Sequence, residues 1–216
     1  MRLRKKGWAK PELEKDYKVI FTPIEHKGRW KEVFGNNYPI HLELGCGRGR
    51  FINQLAGANT TINYLALDVY DELLVHVLRS ANENHLNNIR VIPINIENIG
   101  DLFAQDEIEK LYINFCTPWP KKKHHKRRLT HPNFLRLYQT FLKPESEIWF
   151  KTDDDALFTD SLEYFQEAGY NELYRTYNLH QSDFQGNIMT EYEEKFCHQS
   201  IKIKFVKLRN SGHGLK

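Results

Sequence analysis

Ile40-His-Leu-Glu-Leu-Gly-Cys-Gly-Arg-Gly49 is the stretch that decides the fold of this 216-residue chain. Its apolar first half predicts a β-strand over residues 40–44, and the glycines that follow end that strand. Glycine suits a chain that must turn sharply and bring its backbone close to a ligand. A helix is predicted directly after the turn, over residues 50–56. The stretch therefore predicts a strand, a ligand-facing turn and a helix, in that order.

Apolar runs and amphipathic stretches alternate through the rest of the chain. Further strands are predicted at residues 64–68, 90–94, 110–115 and 148–152, and further helices at residues 71–84, 134–142 and 156–168. Strands that alternate with helices in this way favour an α/β fold with a mostly parallel, doubly wound sheet. Residues 170–178 and 201–206 are predicted to form an antiparallel strand pair near the C-terminal end.

The segment before the first strand is polar, basic and aromatic, and it has no clean hydrophobic period. We interpret residues 1–38 as an N-terminal arm that contains one short helix around residues 28–34. The composition, 40% hydrophobic and 13% aromatic, is that of a globular protein. The sequence contains neither an internal repeat nor a linker rich in Pro, Gly or Ser. Residues 39–216 are therefore predicted to form one domain.

The positive charges of the chain are concentrated in two places. The formal net charge is only +3, from 31 basic and 28 acidic residues. Six cations lie within Lys121–Arg128 (KKKHHKRR), and five more lie among the first ten residues. Without these two groups, 20 basic residues face 28 acidic ones. Two basic patches on an acidic body indicate a directed contact with a polyanion, although most charge runs are only solvated loops.

Several kinds of protein are disfavoured by the sequence. Cys46, Cys116 and Cys197 are widely spaced, so neither a disulfide framework nor a structural zinc site is expected. The basic start lacks the apolar stretch of a secretory signal, and no window approaches the ~20 apolar residues of a membrane span. We therefore expect a soluble cytoplasmic protein without a metal and without membrane contact. The sequence leaves open whether the protein is a monomer or a homodimer.

The glycine spacing separates two kinds of cofactor. The dinucleotide fingerprint is G-x-G-x-x-G, whereas Gly45, Gly47 and Gly49 are spaced G-x-G-x-G. The carboxylate of Glu43, two residues before the first glycine, would repel a pyrophosphate but attract a cationic amine. The pattern therefore favours S-adenosylmethionine, which carries an ammonium group, over a nicotinamide cofactor.

Polar side chains also follow the second and third predicted strands. Asp68 lies 19 residues beyond Gly49, where an α/β nucleotide site places a carboxylate that accepts both ribose hydroxyls. Asn95 could hydrogen-bond an adenine amino group. Each residue also has a local explanation: Glu43 could pair with a lysine, Asp68 could cap the next helix and Asn95 could simply turn the chain. Their order at the ends of successive strands favours a nucleoside site.

Parts of the sequence resemble one protein family. Residues 42–49 are similar to motif I of class I methyltransferases, and Ile113–Arg128 (INFCTPWPKKKHHKRR) closely resembles the signature of bacterial tRNA (guanine-N7)-methyltransferases. Residues 151–155 (KTDDD) and 190–196 (TEYEEKF) resemble later motifs of that family. The resemblance implies a Rossmann-like class I methyltransferase fold. It also implies methyl transfer from S-adenosylmethionine to N7 of a guanine in the tRNA variable loop.

The resemblance further implies roles for individual residues. It assigns Thr117 and Asp153 to catalysis. Contacts with S-adenosylmethionine are implied for Glu43, Gly45, Gly47, Gly49, Asp68, Asn95 and Thr117. Contacts with the substrate are implied for Lys121, Asp153, Thr190, Glu191, Tyr192 and Glu193. Contacts with RNA are implied for Lys123, His124, His125, Lys126, Arg127 and Arg128.

One position departs from the family pattern. The family usually has an aspartate before the Pro-Trp pair, and this chain has Thr117. Threonine can form a hydrogen bond but brings no charge. A tRNA-binding homologue with weak or lost catalysis is therefore the alternative to an active enzyme.

Methylation at N7 of guanine requires little acid-base chemistry. N7 is unprotonated near neutral pH and is already a nucleophile, so catalysis can depend largely on positioning the reactants. A carboxylate could stabilise the positive charge on the purine and accept hydrogen bonds from its N1–H and N2–H2 edge. Asp153, Glu191 and Glu193 are the candidates, with helix capping and a solvated helix start as the local explanations. Trp119 could stack on a base or anchor its own loop.

Two other enzyme classes compete with this reading. A nicotinamide-dependent oxidoreductase is disfavoured by the early third glycine and by Glu43. A methyltransferase that acts on a protein or a small molecule would leave the basic run at residues 121–128 unexplained. RNA explains that run, because lysine and arginine contacts with phosphates give a strong, salt-dependent affinity.

Overall fold

The structure, a computed structural model, describes residues 7–212 and divides into two compact units, Met1–Ala104 and Gln105–Lys216. Apart from Lys10, the cations at the start of the predicted arm lie outside the described residues. The predicted end of the arm at residue 38 falls inside the first unit, and the two units are described separately below.

The first unit contains parallel strands joined by helices. Its elements are α1 (Ala9–Leu13), α2 (Trp30–Phe34), β1 (Ile40–Leu44), α3 (Arg50–Ala58), β2 (Asn63–Asp68), α4 (Asp71–Glu83) and β3 (Ile89–Pro93). The strands lie in the order β3-β2-β1 and run parallel, as predicted. The register pairs Leu44 with Leu67 and Asp68 with Pro93, so the carboxyl ends of these strands lie together at one edge.

Burial explains why these segments adopt their structures. Every residue of β2 is buried, which is typical of a parallel strand covered on both faces. In α4 the buried residues are Leu74, Val75, Val77, Leu78 and Ala81, which lie on one face of a helix. No helix among residues 7–212 is long and apolar enough to cross a membrane.

The described part of the predicted arm packs against the strands and helices of the first unit. Helix α1 lies against α4, and the backbone around Val19 forms a parallel bridge with Val91 of β3. Trp30 is completely buried, and its indole Nε1 donates to the Leu102 carbonyl over 2.9 Å. Helix α2 confirms the predicted short helix, whereas α1 was not predicted. A helix of five residues is too short to show a hydrophobic period.

The second unit combines parallel and antiparallel strand pairs. Its elements are β4 (Ile108–Asn114), α5 (Pro132–Gln139), β5 (Leu142–Thr152), α6 (Asp155–Glu167), β6 (Tyr170–Thr176), α7 (Glu191–His198) and β7 (Lys204–Asn210). The strands lie in the order β4-β5-β7-β6. β4 and β5 are parallel, and β7 is antiparallel to both β5 and β6. The predicted antiparallel pair near the C-terminal end is therefore confirmed.

Two helices of the second unit differ from the sequence prediction. Helix α5 begins at Pro132 because the side chain of His131 caps it, and it ends before Leu142, where β5 already starts. Helix α7 was foreseen only as a helix start at Glu191. It is a polar helix whose buried residue is Glu193, so its hydrophobic pattern is weak.

Candidate active site

The glycine turn, residues 45–49, is fixed by backbone hydrogen bonds to the end of β2. The N–H groups of Gly45 and Cys46 both donate to the carbonyl of Leu67, at 2.9 and 3.0 Å. Gly45, Gly47 and Gly49 all have positive φ angles, of 72°, 56° and 82°. Residues that carry a side chain rarely adopt positive φ angles, so the turn requires glycine at these three positions.

Gly49 has a second reason to lack a side chain. A Cβ atom at this position would lie 2.6 Å from Cγ2 of Val77 on α4. Real Cβ atoms do not approach that closely, so Gly49 lets α3 begin directly against α4. Its carbonyl accepts from the N–H of Asn53 at 2.9 Å, which starts the helix.

Asp68 ends β2 and contacts the glycine turn directly. One carboxylate oxygen accepts from the N–H of Gly47 and the other from the N–H of Tyr70, each at 3.0 Å. Burial raises the pKa of the Asp68 carboxyl, and these backbone hydrogen bonds oppose the increase. Burial also raises the pKa of the Cys46 thiol, with further contributions from the charges of Asp68 and Glu43. Cys46 therefore forms an uncharged wall of the turn.

The structure brings the three polar residues predicted for the cofactor to one edge of the first unit. Glu43 is the penultimate residue of β1 and is 2% exposed. Asp68 ends β2, and Asn95 lies two residues beyond the end of β3. The side chain of Asn95 accepts from the N–H of Glu97 and caps a 3₁₀ turn at residues 96–101. The local explanation for Asn95 is thus realised, and its predicted adenine contact stays a prediction.

In the second unit, the backbone is strained just after β4. Phe115 and Trp119 have positive φ angles of 51° and 44°, although neither is glycine. Strain of this kind persists only where the surrounding structure enforces it, and it is common at functional sites. Thr117 lies between the two strained residues and is exposed. Its side chain is therefore presented to solvent at the carboxyl end of a parallel strand.

The basic loop, Lys121–Arg128, divides into exposed and held side chains. The exposed cations are Lys121, Lys122, Lys123, Lys126 and Arg127. Trp119 packs against this loop: the Arg127 guanidinium lies 5.1 Å from its ring and the His124 ring lies 5.8 Å from it. Trp119 thus anchors its own loop, which was one of its two predicted roles. Arg128, by contrast, is 2% exposed, and this differs from the exposure expected of a phosphate contact.

The three consecutive aspartates after β5 have different surroundings. Asp154 caps α6, because its carboxylate accepts from the N–H of Leu157 at 2.7 Å. Asp155 pairs with Lys204 at 2.8 Å. Asp153 contacts Lys204 only through its backbone carbonyl, at 2.9 Å, and its carboxylate has neither of these structural roles among the described residues; the residue is partly exposed. Of the three carboxylates, Asp153 is thus the one best placed to meet a substrate.

The predicted substrate residues 190–193 form the start of α7. Thr190 and Glu193 make a capping box: the Thr190 hydroxyl accepts from the N–H of Glu193 at 3.0 Å, and the Glu193 carboxylate accepts from the N–H of Thr190 at 3.3 Å. Glu193 is completely buried, whereas Glu191 and Tyr192 are exposed. The explanation of Glu193 as part of a solvated helix start is therefore wrong.

Sequence reasoning missed the residue that holds this segment. The ammonium of Lys151, at the end of β5, donates to Asn187 at 2.7 Å, to the Ile188 carbonyl at 2.8 Å and to Glu193 at 3.0 Å. Lys151 and Glu193 both have nearly inaccessible side chains. A lysine within the apolar run IWFKT was the available signal, because a charge in a buried strand needs a partner.

Aromatic rings connect the same two regions of the second unit. The ring of Phe115 stacks on Tyr192 with centroids 6.0 Å apart and contacts Phe196 at 5.8 Å. Tyr192 remains 55% exposed, so one end of the cluster faces solvent. Among residues 7–212, no group of His, Cys, Asp or Glu side chains is arranged to hold a metal ion.

The sequence matches known proteins over nearly its whole length. Residues 37–206 match the family described as "Putative methyltransferase". A tRNA (guanine-N(7)-)-methyltransferase of Desulfitobacterium hafniense (strain Y51) is 62% identical over 205 residues, which cover 95% of both chains. One of Clostridium tetani (strain Massachusetts / E88) is 57% identical over 206 residues, covering 95% of this chain and 98% of the relative.

Solved structures of methyltransferases share the fold at low sequence identity. An antibiotic-related methyltransferase is similar with a TM-score of 0.60 and 18% identity, covering 85% of this chain and 92% of that chain. The 16S rRNA methyltransferase KamB is similar with a TM-score of 0.61 and 13% identity, covering 84% and 92%. These similarities confirm the predicted Rossmann-like class I methyltransferase fold.

Proposed function

This chain belongs to the tRNA (guanine-N7)-methyltransferase family, and we propose that it transfers the methyl group of S-adenosylmethionine to N7 of a guanine in the tRNA variable loop. The observation that carries the proposal is 62% identity over 95% of both chains, which includes the glycine turn and the basic loop. Nothing in the described residues favours a catalytically inactive homologue over an active enzyme.

The residues of the first unit fit S-adenosylmethionine. A Cβ added at Gly45 or Gly47 would meet no heavy atom of the described residues within 4 Å, so a ligand can lie directly against this backbone. The buried carboxylate of Glu43 would bind the ammonium group. The carboxylate of Asp68 keeps free lone pairs that can accept from both ribose hydroxyls. Hydrogen bonds from these hydroxyls would stabilise the charged form of Asp68, which burial disfavours. Asn95 would bind the adenine amino group.

The second unit supplies residues that would orient the guanine. When bound, S-adenosylmethionine would supply a methyl group carried on a positively charged sulfur, and the lone pair of guanine N7 is the group that would accept it. No proton leaves N7, so the protein has only to position the base and stabilise its new positive charge. The carboxylate of Asp153, which neither caps α6 nor pairs with Lys204, would accept from the N1–H and N2–H2 edge. Thr117 would contribute a neutral hydrogen bond.

The start of α7 would complete the base-binding residues. Lys151 and Glu193 hold this segment from within the protein, so that the exposed Glu191 and Tyr192 are presented in a fixed arrangement beside the buried Thr190. Glu193 would then affect substrate binding indirectly, by holding residues 190–192 in position. Tyr192 offers an exposed aromatic face beside these groups.

The basic loop would bind the phosphates of tRNA. Its exposed lysines and Arg127 contact no acidic side chain at salt-bridge distance among the described residues, so their charges are available to a polyanion. Structured RNA is recognised largely by shape and backbone, which suits such a loop. A protein that modifies tRNA acts where tRNA is found, so we also propose a cytoplasmic location. Lys121 and the two histidines of the loop stay predicted contacts.

The direct test is methyl transfer to unfractionated tRNA followed by nucleoside analysis. We expect S-adenosylmethionine-dependent formation of 7-methylguanosine. A folded protein that is thermally stabilised by S-adenosylhomocysteine but forms no 7-methylguanosine would overturn the proposed activity. Stabilisation by NAD and not by S-adenosylhomocysteine would instead favour the oxidoreductase.

A comparison of the wild type with Thr117→Asp tests the departure from the family pattern. Because positioning carries most of the catalysis, we expect the wild type to be active and the substitution to change kcat by less than about tenfold. Activity that arises only in Thr117→Asp would show that the natural protein binds tRNA without methylating it.

A further inference from the structure

One cation of the basic loop is built into the protein instead of facing solvent. Arg128 is 2% exposed, while the lysines before it and Arg127 beside it are exposed. Its Nε donates to the Pro118 carbonyl at 2.7 Å, and one terminal nitrogen donates to the Asp160 carboxylate at 2.5 Å. Pro118 precedes Arg128 by ten residues, so this bond closes the loop at its base. The bond to Asp160 fastens the closed loop to α6.

Neighbouring contacts fasten the loop at the same place. His125 Nδ1 lies 4.0 Å from the Asp160 carboxylate and 3.5 Å from the Tyr164 hydroxyl, both on α6. Just beyond the loop, the buried hydroxyls of Thr130 and Ser161 are 2.6 Å apart. Helix α6 thus contacts the loop and the residues after it through several successive side chains. The exposed cations are carried on a fixed base.

A direct phosphate contact does not fit Arg128. Its guanidinium is already engaged by a carbonyl and a carboxylate, and little of it reaches solvent. Asp160 also places a negative charge beside the basic loop, whose attraction for a polyanion increases with positive charge. An acid at this position weakens the attraction of the loop for a polyanion, so its benefit must come from the geometry that it enforces.

We propose that Arg128 and Asp160 are positioning residues that hold the basic loop in the shape that binds tRNA. The inference rests on the proposed function of the protein and adds to it a source of tRNA affinity outside the exposed cations. The paired side chains preorganise the loop, so tRNA binding does not include the entropic cost of ordering it. Removal of either partner should therefore weaken tRNA binding without affecting the binding of S-adenosylmethionine.

Asp160→Asn separates this role from simple charge attraction, because the two predict opposite signs. Removal of a negative charge beside a cationic loop would strengthen tRNA binding if only net charge mattered. Loss of the charged pair should instead raise the KM for tRNA about tenfold, since a hydrogen bond between charged groups is lost. We expect kcat to stay within about twofold and the KM for S-adenosylmethionine to be unchanged.

Glu167→Gln is the matched control. It removes the same charge from the same helix and breaks the exposed pair with Arg136, which lies outside the loop. We expect its tRNA KM to equal that of the wild type or to be slightly lower. Direct tRNA binding, measured for both variants at one salt concentration, should show the same difference.

Arg128→Lys provides an independent variant that keeps the positive charge. A lysine cannot reproduce the fork that reaches both Pro118 and Asp160, so we expect a rise in tRNA KM similar to that of Asp160→Asn. A mere phosphate contact would retain most of its affinity in Arg128→Lys. Thermal midpoints with and without S-adenosylhomocysteine check that both variants fold and bind it.

The possible outcomes separate this inference from the proposed function. A wild type that forms no 7-methylguanosine overturns the function. An active wild type whose Asp160→Asn variant binds tRNA as well as Glu167→Gln overturns the inference alone. Equal losses in Asp160→Asn and Arg128→Lys, with the S-adenosylmethionine KM unchanged, support it.

Discussion

The glycine turn in the first unit and the start of α7 in the second unit carry predicted site residues, but they are held in different ways. The turn is fixed by backbone groups, such as the N–H of Gly47 that donates to Asp68. The start of α7 is fixed by a buried ammonium, because Lys151 reaches Glu193 across 42 residues of sequence. The shape of the glycine turn therefore depends on backbone conformation, whereas the position of the start of α7 depends on charge pairing.

These two kinds of construction fail in different ways. A turn that needs glycine loses its shape when a side chain is added, and the damage is steric. A buried ion pair loses stability when one partner is removed, because the remaining charge stays in a place without water. The difference can be tested with variants that leave the other region unchanged.

Lys151→Met should have the largest effect on stability. It leaves the carboxylate of Glu193 buried without the ammonium, and its remaining partners are Asn187 at 2.6 Å, His180 at 3.3 Å and the N–H of Thr190 at 3.3 Å. Removing one member of a buried pair costs about 3–5 kcal/mol, and we expect a loss of that size in the free energy of unfolding. Guanidinium denaturation at constant pH provides the measurement.

A double variant and an exposed pair serve as controls for Lys151→Met. In Lys151→Met/Glu193→Leu neither charge of this pair remains buried, so part of the lost stability should return. Arg136→Met breaks an exposed pair with Glu167 and should cost less than about 1 kcal/mol. A loss in Lys151→Met no larger than that in Arg136→Met would show that charge pairing does not hold the start of α7.

Gly49→Ala should have the next largest effect, and it acts on the other region. The new Cβ would meet Val77 at 2.6 Å in a backbone conformation with φ of 82°. Positive φ costs about 1–2 kcal/mol and overpacking a further 1–3 kcal/mol, so we expect a loss of about 2–5 kcal/mol. Thermal stabilisation by S-adenosylhomocysteine should decrease with it.

Gly57→Ala, within the helix α3 that Gly49 precedes, is the matched control. Its Cβ would lie 3.7 Å from Leu86, an ordinary contact, so we expect no loss or a gain of up to about 1 kcal/mol. In Gly49→Ala/Val77→Ala the steric part of the loss should return while the conformational part persists. Equal stability of the two single glycine variants would contradict the steric account of the turn.

The contrast also explains what could be predicted from the sequence. The turn was predictable because its signals are local: an apolar strand, spaced glycines and an acid two residues before them. The partnership of Lys151 with Glu193 was not, because each residue alone resembles an exposed charge and their contact depends on the tertiary fold. The same holds for Arg128, which sits in a run of solvent-facing cations. The sequence pattern places Trp30 in an arm, and only its packing in the structure shows that it is buried.

Asp153→Asn should reduce activity without a matching loss of stability. If Asp153 accepts hydrogen bonds from guanine, its neutral replacement should lower kcat/KM for tRNA roughly 10–100-fold, as expected for a lost charged hydrogen bond. Asp154→Ala should do the opposite, with about 1 kcal/mol of stability lost because the cap of α6 is removed. Single-turnover methylation and denaturation measure the two effects. Similar activity losses in both variants would remove the distinction between adjacent aspartates.

Glu147 is a further charge-paired residue, in the sheet of the second unit. Its contribution to stability should depend on pH, and this is the smallest effect that we expect. Burial raises the pKa of its carboxyl. Hydrogen bonds from Lys207 at 2.8 Å and Trp149 at 2.9 Å, together with the charge of Lys110 at 3.0 Å, lower the pKa by more, so that it falls to about 2. An acid whose pKa is depressed by folding contributes stability above its ordinary value, near 4.5, and loses it as the pH falls towards 2. Since solvent reaches a quarter of the side chain, we expect a contribution of about 1–2 kcal/mol.

Glu147→Gln should therefore be less stable than the wild type at pH 7, and the difference should shrink as the pH falls from about 4.5 towards 2. Glu145→Gln, on the same strand, breaks a pair with Arg209 in which the glutamate side chain is 67% exposed, so it should change stability little at any pH. Denaturation midpoints measured across that pH range compare the two variants. A stability difference for Glu147→Gln that stays constant from pH 7 to pH 2 would mean that packing, and not charge, holds this part of the sheet.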